Sequence, residues 1–198
     1  MAMGFITKVK RFFAQADLIL LALCCAAALF GILLIASATN YTGSLRYVIV
    51  QSIALVLGVA LYAFFTFVDV EEASEKWKWI FAFNVVFILL LLSPLGVDPV
   101  QSGGNRAWLS IPGFPMDIQP SEIVKVTFTI LLAKQLAYYQ EHELSSIRSV
   151  AFYSGHFLFM VCLLYAISSD AGSCLVYVAI FVCMTFAAGV KLRWFVLG

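Results

Sequence analysis

Six stretches of this 198-residue chain are apolar over the length that crosses a bilayer: 18–38, 47–68, 77–95, 120–139, 150–167 and 173–189. A spanning helix needs about 20 such residues. In lipid the backbone N–H and C=O groups must pair within the segment, which a helix achieves. The chain is 63% apolar and only 12% charged, against about 25% charged in soluble domains. A disordered chain, a nucleic-acid-binding arm and an ordinary water-soluble enzyme are thereby excluded. The expected fold class is all-α: a polytopic transmembrane helical bundle forming one integral membrane domain over 1–198. It has six complete spans and, after Lys191 and Arg193, the start of a seventh.

Charge sets the orientation. With the N-terminus cytoplasmic, Lys8, Lys10, Arg11, Lys76, Lys78, Lys134, Arg148, Lys191 and Arg193 fall inside, and only Arg46, Arg106 and Lys125 fall outside. Nine against three obeys the positive-inside rule. Ala36-Ser37-Ala38 has the small residues of a signal-peptidase site. Stretch 18–38 exceeds the roughly 7–15 residues of a signal core, so it reads as a retained span.

The orientation places the long loop 96–119 outside. It is rich in Gly, Pro, Asp and Ser, without periodicity, and a long loop of this kind tends to be functional or disordered. Trp108, Ile111, Phe114 and Met116 suit folding back onto the outer membrane face. The loop ends in Gln119-Pro120-Ser121-Glu122, a helix start: proline fits the first helical position, and Glu122 lies near the positive end of the helix dipole. Lys125 follows at i+3 on the same face. A functional ion pair in an aqueous cavity and a capping acid beside a snorkelling lysine both fit this spacing. Arg106, the arginine of that loop, suits bidentate phosphate recognition or a plain headgroup contact. Asp170 in Ser-Asp-Ala-Gly-Ser caps the sixth span or lines an outer cavity. Interhelical hydrogen bonds account for Gln51 and Asn84. His142 and His156 have no partner spacing that suggests a metal or proton relay.

Five cysteines, Cys24, Cys25, Cys162, Cys174 and Cys183, all lie in apolar runs and read as small apolar filler, not a disulfide framework. No His/Cys cluster has metal-ligand spacing, so no metal site is expected and no cofactor is identified.

Asn105-Arg106-Ala107-Trp108-Leu109 followed by Ile118-Gln119-Pro120-Ser121-Glu122-Ile123-Val124-Lys125 resembles the signature of the SEDS family, the FtsW/RodA/SpoVE proteins of bacterial cell-wall synthesis. Ser37-Ala38-Thr39 is similar to that family's first-helix end. Ser169-Asp170-Ala171-Gly172-Ser173 resembles its P-D-x-G-T turn, with Ser169 in place of proline and Ser173 in place of threonine. The resemblance covers essentially the whole chain, although the family has about ten spans. It implies a multi-pass protein of the bacterial cytoplasmic (inner) membrane. The implied enzyme is a peptidoglycan glycosyltransferase that polymerises lipid II, the undecaprenyl-pyrophosphate disaccharide-peptide, in cell elongation or division.

By the same resemblance, Glu122 and Lys125 support a catalytic aspartate in a later outer loop, so the 198 residues alone are expected to be inactive. Arg106, Trp108, Gln119, Ser121 and Asp170 are the implied substrate-side residues. Implied partners are a class B penicillin-binding protein and the elongasome or divisome membrane proteins, with no nucleic acid. A divalent cation beside the pyrophosphate is compatible, without a visible ligand set. Two other functions fit such a bundle: a lipid II flippase or transporter, and a scaffold of the cell-wall synthesis complex. Transport favours discontinuous helices and inverted halves, and neither is evident in these spans.

Overall fold

A computed structural model describes residues 16–40, 45–98, 105–114 and 116–197. The basic residues Lys8, Lys10 and Arg11 lie outside them. Every apolar stretch is a helix, and packing groups the chain into two compact units that meet at the charged connector, Met1–Asp69 and Val70–Gly198.

The first unit contains α1 (Leu18–Thr39) and α2 (Arg46–Phe65), which pack against each other. Asp17 caps α1 by accepting from the Leu20 N–H at 2.9 Å. Tyr62 Oη donates to the Asp17 carbonyl at 3.0 Å, tying the foot of α2 to the start of α1. Neither helix buries a single residue. Helices apolar on every side and open on every side belong in lipid. Gln51 faces the groove between them.

In the second unit α3 (Val70–Glu75) leads into α4 (Trp77–Leu89), which a 3₁₀ turn, Leu90–Leu92, extends. The loop that showed no periodicity contains a small antiparallel ribbon, which corrects its reading as structureless. In it β1 (Gly96–Val97) pairs with β2 (Trp108–Leu109), Gly96 opposite Leu109 and Val97 opposite Trp108, and Leu109 bridges onward to Ile118. Glycine is required at 96, because a Cβ there would stand 2.0 Å from the Leu91 carbonyl oxygen. Strands of two residues are too short for alternation to register.

The remaining helices are α5 (Pro120–Glu141), α6 (Ile147–Ser168), α7 (Ala171–Ala187) and the short α8 (Arg193–Leu197). α5 packs on α4, α6 and α7, and its buried Val124, Phe128, Leu132 and Leu136 follow the four-residue spacing of one helix face. Tyr153, Met160 and Leu164 of α6 and Tyr177 of α7 complete the core. Away from the α5 head, Gln140 Nε2 donates to the Ala188 carbonyl at 2.9 Å. Trp194 Nε1 donates to the Ser145 carbonyl at 3.1 Å.

By length and composition α1, α2 and α6 can each cross a membrane, and 77–92 and α7 are shorter apolar helices. α5 has 22 residues, about 33 Å at 1.5 Å each, and is the helix that carries charges along its length. The protein is an all-α, polytopic helical chain.

Candidate active site

The head of α5 gathers most of the polar residues singled out by sequence. Pro120 occupies the first turn, and Gln119, the N-cap residue, makes no side-chain cap bond there. Its amide reaches across instead: Gln119 Nε2 donates to Asp170 Oδ2 at 2.9 Å. Asp170 is the N-cap of α7, where Oδ1 accepts from the Ser173 N–H at 3.0 Å. Its other oxygen accepts the Ser173 hydroxyl at 2.6 Å. With that hydroxyl's one hydrogen spent on the carboxylate, the 3.2 Å contact between Ser121 Oγ and Ser173 Oγ has Ser121 as donor.

Partial burial pushes the Asp170 carboxyl up. The Ser173 hydroxyl and N–H, the Gly172 N–H and the Gln119 amide outweigh it and hold the group below its ordinary value of 3.8. Asp170 is therefore an anion that welds two helix N-termini together. Tyr177, fully buried one turn further along α7, donates to the Ser121 carbonyl at 3.0 Å.

On the next position of α5, Glu122 Oε1 lies 2.7 Å from Lys125 Nζ, with the lysine side chain 18% exposed and the acid 57%. A solvated pair of this spacing contributes about 0.2–0.5 kcal/mol to a helix. That is too little to explain two charges at the head of a buried helix on stability grounds. Chemically, the pair offers a proton acceptor and a fixed cation one turn apart, beside the Asp170 anion network.

Arg106 is held elsewhere, in the loop 96–119. Its Nε and Nη2 donate to the Gly96 carbonyl at 3.3 and 2.8 Å, and Nη2 also reaches the Ser93 carbonyl at 3.3 Å. Three of the five guanidinium N–H groups thus pin the ribbon to the end of α4, and among the described residues the two on Nη1 make no hydrogen bond. Trp108 lies half-buried on β2 opposite Val97. The structure therefore brings Gln119, Ser121 and Asp170 into one network, seats Glu122 and Lys125 beside it, and fixes Arg106 through the ribbon.

Ser173 and Tyr177 were not singled out as site residues. Their signal was present: with Asp170 they recur at i, i+3 and i+7, a polar stripe on one face of an otherwise apolar helix. Asn84, fully buried on α4, accepts from Thr127 Oγ1 of α5, an interhelical bond of the expected kind. All five cysteines are free thiols. Among the described residues no group of three His, Cys, Asp or Glu side chains stands close enough to hold a metal ion.

A sequence profile of the family described as "Cell cycle protein", FTSW_RODA_SPOVE, matches residues 15–198. The chain belongs to this family. Among similar members of the FtsW/RodA/SpoVE family is the "Probable peptidoglycan glycosyltransferase FtsW" of Geobacter sp. (strain M18). It is 27% identical over 190 residues, 90% of this chain and 49% of the relative. The protein of the same name from Thioalkalivibrio sulfidiphilus is 31% identical over 84% of this chain and 42% of its own length. "Stage V sporulation protein E" of Bacillus subtilis is 29% identical over 72% of this chain and 38% of its own. The chain spans about half the length, or less, of the curated relatives it matches. No solved structure matches it. Family membership and the apolar helices together make it a multi-pass membrane protein.

Proposed function

We infer that the full-length protein polymerises peptidoglycan strands from lipid II at the outer face of the bacterial cytoplasmic membrane. The observation that carries this reading in the chain itself is the Glu122–Lys125 pair, held at 2.7 Å at the head of α5. The relatives' names support the reaction class.

In that reaction an acceptor sugar hydroxyl forms a bond to the anomeric carbon of the lipid-linked disaccharide. The bond from that carbon to the pyrophosphate oxygen breaks, and its electron pair leaves on undecaprenyl pyrophosphate. The hydroxyl proton passes to a carboxylate, which the family resemblance puts in a later outer loop. Glu122 and Lys125 orient that carboxylate and tune its charge, since a fixed cation nearby favours the ionised form. Arg106 offers its two Nη1 N–H groups to the pyrophosphate, whose growing negative charge needs preorganised donors. Trp108 borders the same loop. Gln119, Ser121 and Asp170 hold the α5 head in place beneath the substrate. A class B penicillin-binding protein, acting with the elongation or division machinery, cross-links the strands.

The test is polymerisation of lipid II by the full-length protein with its penicillin-binding partner in vesicles. Glu122→Ala and Lys125→Ala are each expected to leave no product above background. Normal strand synthesis by both variants overturns the reading, and lipid translocation without polymer would assign a flippase instead.

A further inference from the structure

We propose that Tyr177 is a positioning residue of the α5 head: its buried hydroxyl, by holding the Ser121 carbonyl, sets the orientation of the Glu122–Lys125 pair. The inference rests on the function proposed above and adds to it a residue on a different helix.

Three observations meet at Tyr177. The side chain is completely buried, with its ring 5.2 Å from that of Phe128 on α5. Its hydroxyl donates to the Ser121 carbonyl at 3.0 Å, and in the α-helical ladder that carbonyl is the acceptor for the Lys125 N–H. A single phenol thus touches the peptide unit from which the Lys125 turn hangs. Ser173, one turn earlier on the same face of α7, holds the Ser121 side chain at 3.2 Å. α7 therefore grips Ser121 twice, by side chain and by main chain. These two grips, with the Gln119–Asp170 bond, act on the rotation of the α5 head about its axis.

Packing alone does not need the hydroxyl, because phenylalanine would fill the same space against Phe128. A buried hydroxyl costs free energy unless bonded, so its presence implies that the bond to Ser121 is the gain.

The experiment compares the full-length protein, Tyr177→Phe, Glu122→Gln, Lys125→Gln and the double and triple combinations in the lipid II polymerisation assay across pH. Tyr177→Phe is expected to lower kcat about tenfold with KM changed less than twofold. It is also expected to remove most of the rate coupling between Glu122 and Lys125 that the double-mutant cycle reads. Wild-type kcat and coupling in Tyr177→Phe, with Glu122→Gln and Lys125→Gln each slowed measurably, overturns this inference alone. Full activity of Glu122→Gln and Lys125→Gln overturns the proposed function as well. A second measurement covers a Tyr177→Phe variant that fails to fold. With 3-fluorotyrosine at position 177, the ¹⁹F resonance is expected to move on Glu122→Gln, and an unmoved resonance rejects the positioning role.

Discussion

α5 carries two lysines paired with glutamates, and the pairs differ in what they join. At the head of the helix, Lys125 meets Glu122 of the same helix at 2.7 Å. Further along, Lys134 meets Glu75 of the preceding short helix at 2.9 Å and donates to the Ser74 carbonyl at 2.8 Å. The second pair ties α3 to α5, and its acid is 78% exposed, so it is a fastening between two elements at a wet rim. Among the described residues the first pair joins no second element. A residue pair that fastens no second element and gains little as a helix contact is best explained by what its charges do to a ligand. Near Lys134, a cavity of about 440 Å³ lined by aromatic rings and by Gln135 and His156 lies between α4, α5 and α6. The Asp170 network at the α5 head is a close-set polar seam by comparison.

The contrast can be broken most directly in activity. Glu122→Ala or Lys125→Ala in the full-length protein is expected to cost at least 10²–10³ in polymerisation rate, the size of losing one preorganised charge contact. Lys134→Ala is expected to stay within about threefold of wild type in the same assay. Equal losses from the two lysines would erase the distinction.

Next in size is the turn that precedes the seam. Ser169 closes α6 in the left-handed region, φ 54° and ψ 23°, and its N–H bonds to the Tyr165 carbonyl at 2.9 Å. Ser169→Pro would lose that donor and force φ to about −65°, so a destabilisation on the order of 2–3 kcal/mol is expected in thermal unfolding in detergent. Ser169→Gly is expected to stabilise by about 1 kcal/mol in the same measurement, because glycine adopts this conformation without steric cost.

Smaller still, Asp170→Ala removes the cap of α7 and is expected to cost about 1–2 kcal/mol. Its pH dependence has a definite sign. The carboxyl is held below its ordinary 3.8 by hydrogen bonds that overcome burial. Its stabilising contribution is therefore complete above that value and is lost as the pH falls through the lowered folded-state value. The difference in unfolding midpoint between wild type and Asp170→Asn should stay level from neutrality down to about pH 5 and shrink below pH 4. A gap that widens in acid would refute the assignment. The least effect belongs to the Lys134–Glu75 pair, whose removal by Lys134→Ala is expected to cost about 1 kcal/mol or less.

The helices of the bundle were legible because long apolar runs admit few alternatives in lipid. Their ends were less so. α6 starts at Ile147 and not at 150 because Ser146 caps it, accepting from the Ser149 N–H at 3.2 Å, and two serines in a polar connector read as loop. α2 ends at Phe65, with Thr66 as its C-cap, short of the apolar Phe67 and Val68. At the site, Asp170 as a cap was readable from local spacing, since its partner is three residues away. The Gln119–Asp170 and Tyr177–Ser121 bonds join residues 51 and 56 positions apart, and no local pattern encodes a partner at that distance. Arg106 shows the same limit: its charge suggested a phosphate, while the carbonyls that occupy most of it belong to Ser93, just past the 3₁₀ turn, and to Gly96, in a ribbon too short to foresee.

Ser169 has a consequence for how this turn was inherited. The family pattern carries proline at that position, and the ring of a proline cannot take the backbone path found here. Placing proline at 169 would reroute the peptide leading into Asp170, because its ring holds φ at about −65° where Ser169 has φ 54°. A proline at 169 should therefore shift the direction from which the chain enters the α7 cap, whereas a glycine there should leave that entry as it is.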